Sequence, residues 1–192
     1  NCMVSANAAA GFSIVNYVGT GSSGATFGHG LGAKPDLILI KNRDKGSNYH
    51  WTVYSNTSAT GATGLLYLNL DDAFTTTSSR FNDTEPTTSI VTLGNDPTVN
   101  DSGDDHIAYC FTSVSGYSKI STYSGTGGDG NQITSLGFKP SFILIKRTDS
   151  ADNWNIVDNR RGNFALFPDL NSHELTNSGA VVFDTDGFTI NG

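Results

Sequence analysis

The sequence predicts an all-β protein: two tandem homologous β-sandwich (jelly-roll-like) domains. Three observations predict it. The first is composition. Hydrophobic residues are 36% and charged residues 15% of the chain, with eleven Phe, seven Tyr and two Trp to fill a core. Strong helix formers are scarce, and Glu occurs only at Glu85 and Glu174, while Thr, Val, Ile and aromatics, which fit a pleated surface, are common. The second is punctuation. Short apolar runs recur at roughly ten-residue spacing between Gly, Pro, Asn and Asp, and no stretch shows helical periodicity. The third is internal repetition. "GFSIVNYVGTGSSGATFGHGLGAKPDLILIKNRDKGSNYHWTVY" from Gly11 is matched by "GYSKISTYSGTGGDGNQITSLGFKPSFILIKRTDSADNWNIVD" from Gly116, a period of about 105 residues.

The elements follow in order. Residues 1–10, "NCMVSANAAA", read as an N-terminal tail or donor segment. Repeat one spans 11–115. It opens on a strand ending near Tyr17, then Gly19, Gly21 and Gly24 form a G-x-G-x-x-G. A dinucleotide-binding turn needs a helix at its third Gly, so that the helix N-terminus receives the phosphates. Here "ATFGHGLGAKP" follows, too Gly-rich, short and Pro-terminated for a helix, and the second copy repeats the pattern at Gly125, Gly127 and Gly130. The glycines are therefore expected to serve chain reversal. Strands are expected at 37–40, in "WTVYSN", at 65–70, at 89–93 and at 106–114. Repeat two spans 116–192, with strands at 142–145 and in "NWNIVD", "FALFPDL" and "AVVFDTDGFTI". It has no counterpart of the closing strand "HIAYCF". A sandwich without that strand exposes an edge and part of its core. Either further chain or another segment fills the gap, and residues 1–10, from the same chain or a neighbour, are a candidate donor. Cys2, Met3 and Val4 are the assembly candidates.

The set "GFSIVNY", "HGLG-KPD-ILIKNR", "W-VY", "RFNDT-PT-S-VTLG", "VN-SGD" and "AYCF" resembles a repeated β-domain of tail and tail-fibre proteins of tailed bacteriophages, especially those of marine bacteria. The resemblance covers nearly the whole chain from Gly11. It implies a structural virion or appendage protein, located on the virion or outside the cell, oligomeric and touching a host surface. It carries no catalytic residues. The short second repeat departs from it, since copies in that family run on to an "AF" or "CF" strand.

The expected partners are copies of the chain or other virion proteins, and host surface polysaccharide. The net charge of −7 without a basic patch argues against nucleic acid, and no run reaches the roughly 18 apolar residues of a membrane span. Tyr49, Trp51 and Trp154 are the candidates to stack on sugar rings, as in a lectin-like carbohydrate-binding module. The two Trp repeat beside strand residues, which suits core anchors, so Tyr49 is the better surface candidate.

No enzyme is expected. His29, His50, His106 and His173 have no metal-ligand spacing, there is no nucleophile elbow, and a polysaccharide-cleaving carboxylate pair cannot be picked from sixteen Asp. No metal or other cofactor is expected either. Asp101, Asp104 and Asp105, or Asp184 and Asp186, offer oxygens suited to Ca2+, but neither run has the EF-hand spacing, and solvated turns are the plainer expectation. Cys110 is expected buried and Cys2 incidental to any disulfide framework.

Overall fold

Residue alternation in "DHIAYCF" sets the first half. His106, Ala108 and Cys110 are buried, while Ile107, Tyr109 and Phe111 face the other way, so this run can sit in mid-sheet with one face in the core. In the computed structural model, which describes residues 2–57, 61–162, 164–176 and 181–191, it is a central strand. We label the first-half strands β1 (Cys2–Asn7), β2 (Phe12–Val18), β3 (Ala25–Gly28), β4 (Leu37–Asn42), β5 (Thr52–Ser55), β6 (Gly64–Tyr67), β7 (Thr75–Thr76), β8 (Ile90–Leu93) and β9 (Asp105–Phe111), with a four-residue helix α1 (Pro97–Asn100) before β9. The sheet order is β1-β2-β9-β4-β5-β6-β7, and β3 pairs separately with β8. β9 is antiparallel to both neighbours: Ala108 faces Val15 on one side and Ile40 on the other. The inward side chains Val15, Tyr17, Ile38, Ile40, Tyr54, Ala108 and Cys110 form one core with Phe27 and Val91 of the β3–β8 ribbon and with Phe81.

The second half holds β10 (Asn131–Thr134), β11 (Phe142–Ile145), β12 (Asn155–Asp158), β13 (Phe164–Leu166), β14 (Leu175–Thr176), β15 (Val181–Asp184) and β16 (Gly187–Ile190). They make a four-stranded sheet β11-β12-β13-β14 and a three-stranded sheet β10-β16-β15. Ile143, Val157 and Ala165 of the first sheet pack on Phe188 of the second. The all-β class read from the sequence holds.

The repetition extends to the register. Leu39 pairs with Val53 and Val53 with Leu66; in the second half Leu144 pairs with Ile156 and Ile156 with Leu166. The Trp51 N–H donates to Asn69 Oδ1 at 2.9 Å and the Trp154 N–H to Asp169 Oδ1 at 3.2 Å, the same loop closure in each copy. The Lys41 ammonium donates to the carbonyl of Asn42, and Lys146 to that of Arg147. A third apolar cluster joins the halves: Trp154 packs against Val53 and Leu66, with Leu37, Leu39, Phe74 and Leu144 around it.

Three details differ from the expectations. Within the chain, residues 2–7 do not reach the second repeat, so the same-chain form of strand donation is corrected: β1 pairs with β2 of the first, Cys2 opposite Tyr17 and Val4 opposite Val15. The reason is local. Asn7 accepts the Ala10 N–H at 3.1 Å and Gly11 turns the chain at φ 65°, which folds the segment back as a hairpin. Gly11 is required there, since a Cβ would lie 2.5 Å from the Thr112 carbonyl oxygen. The closing strand stops at Phe111, short of 114, and residues 97–100, between the strands expected at 89–93 and 106–114, make the short helix α1, with Asp96 capping the Thr98 N–H and Pro97 at the first position. Asn1 and Ala180, at the borders of expected segments, lie outside the described residues.

Candidate functional site

The outward side chains of the seven-stranded sheet place aromatic rings in a row. Phe12 on β2 and Tyr109 on β9 are near-parallel, centroids 6.5 Å apart at 9°, and Trp51, just before β5, stacks on Tyr109 at 6.1 Å and 27°. Phe111 lies 4.8 Å from Phe12. All four are half-buried, so the row shows ring surface while resting on the sheet. Such a row can stack on apolar ring faces. Of the residues singled out from sequence, the structure puts Trp51 in this row. Tyr49 is half-buried in the adjacent turn, where its N–H donates to Gly46, and takes no part in the stack. Trp154 takes the core-anchor place and not the sugar-stacking one: it is 4% exposed, its indole N–H donates to the Tyr67 carbonyl at 2.7 Å, and it pins the two halves together. Phe12 and Tyr109 escaped the sequence reading. Their signal was the two-residue alternation of "GFSIVNY" and "HIAYCF", which sends one set of side chains outward.

The second candidate is the β1 edge. β1 pairs on one side only, carries no charged residue and no Pro, and leaves Met3 72% exposed. Strand edges of this kind recruit further strands. Cys2, free and exposed, borders a pocket of about 200 Å³ that also meets Tyr17, Phe27 and Asn100.

Titratable groups elsewhere are tied into the fold. Burial lowers the pKa of His29 against the opposing effect of the Thr87 carbonyl, and burial pushes the Cys110 thiol up to about 12. His106 is fully buried, with its ring nitrogens near the carbonyls of Asp104 and Pro97. Glu85 accepts from the Tyr54 hydroxyl at 2.6 Å and the Ala62 N–H at 2.7 Å, and pairs with Lys34 at 2.8 Å. Arg80 pairs with Asp96, the cap of α1, and donates to the Tyr67 hydroxyl at 2.7 Å. Of the acidic runs considered for Ca2+, Asp104 accepts from Asn42 Nδ2 at 2.9 Å, and the Lys45 ammonium lies 3.6 Å from Asp104 and 3.8 Å from Asp101. Asp184 accepts from Thr189, and Asp186 from the N–H groups of Ser135 and Gly137. Among the described residues no group of three or more His, Cys, Asp or Glu converges as a metal site would need.

The glycines that open repeat one hold the turn before β9. A Cβ on Gly19 would lie 2.0 Å from the Asp101 carbonyl oxygen, and the Gly21 N–H donates to the Asn100 carbonyl at 2.8 Å. The Asn100 amide binds Thr20, Ser22 and Gly94. The loop therefore cradles backbone, and no helix follows it.

Residues 1–192 match a family described as Domain of unknown function (DUF7483). The chain belongs to that family. No curated protein and no solved structure matches the chain. No helix among the described residues of this DUF7483 domain is long and apolar enough to cross a membrane.

Proposed function

We propose that the protein is a structural component of a virion or appendage, a phage tail or fibre part, made of two tandem homologous β-units that self-associates and meets a host surface. The observation that carries this reading is the uncharged, six-residue β1 edge with Met3 and Val4 exposed on it. Exposed apolar side chains gathered on an unprotected edge favour association between chains. The sequence resemblance to phage tail and tail-fibre repeats gives that association its setting. The test is light scattering of the chain over a wide concentration range, beside the variant Met3→Lys, which places charge on the edge without touching the core. The reading expects defined assemblies that Met3→Lys dissolves. A monodisperse monomer at every concentration overturns it.

A second reading, a lectin-like carbohydrate-binding module, is favoured by the Phe12–Tyr109–Trp51 row. It predicts binding in a glycan array by monomeric chain, lost in Trp51→Ala. A polysaccharide-cleaving enzyme finds less support, because the carboxylates described above accept hydrogen bonds from backbone N–H groups and side chains or pair with lysine and arginine.

A further inference from the structure

The two halves repeat a pair of hydrogen-bond donors, and they use it differently. Trp154 and Lys146 of the second half bind first-half oxygens: the indole N–H donates to the Tyr67 carbonyl at 2.7 Å and the ammonium to the Asp71 carbonyl at 3.1 Å. Trp51 and Lys41 are their counterparts in the repeat. The Trp51 indole N–H makes no hydrogen bond among the described residues. The Lys41 ammonium, which can donate three, makes one, to the adjoining Asn42 carbonyl at 2.9 Å. The surrounding charges differ as well. Burial lowers the pKa of Lys146, but the carboxylates of Asp152, Asp169, Asp71 and Asp72 oppose it. Burial lowers that of Lys41 with no carboxylate to oppose it.

Lys41 and Trp51 belong to the outward face of the seven-stranded sheet. Lys41 pairs with Ile107, Ile107 with Asn16 and Asn16 with Met3, which makes one row across the strands. Tyr109 stands next to Ile107 on the same face of β9, and Trp51 stacks on it. Asn16 Oδ1 is buried and has no hydrogen-bond partner among the described residues. A buried acceptor without a donor costs stability, and a bound donor removes that cost. The row carries an ammonium and no carboxylate, in a chain of net charge −7. Asp105 shares the face one row further on, opposite Val18.

These groups select among occupants. A lipid surface or an apolar strand would leave Asn16 and Lys41 desolvated and unpaired. Nucleic acid needs several phosphate-binding cations, and this row has one. Ring faces flanked by an indole N–H, an ammonium and an amide oxygen suit pyranose rings, whose apolar sides stack while their hydroxyls give and take hydrogen bonds. The unopposed ammonium asks for an anion.

We infer that this face binds an acidic polysaccharide, a chain of pyranose rings bearing carboxylates. Its rings lie on Trp51 and Tyr109, a carboxylate meets the Lys41 ammonium, and a hydroxyl donates to Asn16 Oδ1. The inference rests on the lectin-like reading and adds the charge class of the sugar and the two residues, Asn16 and Lys41, that select it.

The test is isothermal titration of the 192-residue chain with oligomers of galacturonate and of mannuronate, each beside its methyl ester, which keeps the rings and removes the charge. An acidic oligomer is expected to bind about tenfold more tightly than its ester, or better. Lys41→Met is expected to erase that preference and to bind the ester as the parent does. Asn16→Leu is expected to weaken acid and ester alike, with a thermal midpoint no lower than the parent's, because its oxygen has no partner to lose. Equal affinity for acid and ester, a preference that survives Lys41→Met, or unchanged binding by Asn16→Leu overturns the inference and leaves the lectin-like reading standing. No binding of these oligomers by a chain that binds neutral sugars in the glycan array also overturns the inference alone, and no binding in either experiment overturns both.

Discussion

Ile38 and Ile40 of the first half face Cys110 and Ala108 across β4 and β9, whereas Ile143 and Ile145 of the second half sit on a sheet edge. The inner strands of the two halves nonetheless share one register and one tryptophan loop closure. The difference teaches what each part depends on. The β4–β5–β6 hairpins and their second-half counterparts are made by neighbours close in sequence, and they form in both halves. β2 depends on β9, about ninety residues away, and its counterpart at 117–123 does not become a strand. β-propensity is largely the fit to a pleated neighbour, so the same pattern remains irregular where, among the described residues, no strand lies beside it.

Paired substitutions probe that contrast. The largest effect is expected at Trp154, because it fills the cluster that joins the halves. Trp154→Ala is expected to cost about 3–5 kcal/mol in chemical denaturation and to split the transition in two, while Trp51→Ala, on a half-exposed ring, costs well under half of that. Gly19→Ala comes next. Its Cβ would collide with the Asp101 carbonyl, and a loss of about 1–3 kcal/mol is expected. Gly125→Ala, in open space, is expected to stay within about 0.5 kcal/mol of the parent chain. Tyr17→Phe strips the Val99 carbonyl of a buried donor and is expected to cost roughly 1 kcal/mol. Tyr123→Phe is expected to leave the thermal midpoint unchanged, and an equal shift for both would remove the contrast.

The smallest effect is a pH dependence confined to the first half. Burial alone would raise Glu85; the hydrogen bonds from Lys34, Tyr54 and the Ala62 N–H outweigh it and hold the carboxyl below its usual range. A folded pKa below the unfolded one means that the contribution is fully present above the ordinary Glu value of about 4.3 and is lost as pH falls through the depressed value. Glu85→Gln is therefore expected to be less stable than the parent at pH 7, with the gap closing in urea melts as pH drops below that range. A gap that stays constant with pH would show that the carboxylate charge is not what Glu85 contributes.

The sequence showed the all-β class and the repeat directly, because alternation and turn residues are local signals. The burial of Ile38, Ile40, Ala108 and Cys110 followed from the same alternation. The destination of residues 2–7 was not visible, since it turns on one capping Asn and one left-handed Gly that fold the segment onto β2. Nor was the aromatic row, whose members lie on β2, on β9 and before β5, and become neighbours only through non-local pairing. Trp154 illustrates the opposite difficulty: its repeat partner Trp51 is half-exposed, so one sequence pattern serves two environments, and the docking of the halves decides which is which.

The most direct measurement is native-state hydrogen exchange of the unmodified chain, comparing amides of Phe12–Val18 with those of 121–123, the stretch beyond the Val114–Ser118 turn and the Ile120 N–H bond to Ser113. The account predicts that the β2 amides exchange several orders of magnitude more slowly, near the rate set by unfolding of the first half, while those of 121–123 exchange close to the rate of unstructured chain. Equal protection of the two stretches would contradict it, and would mean that residues 121–123 already have a strand partner.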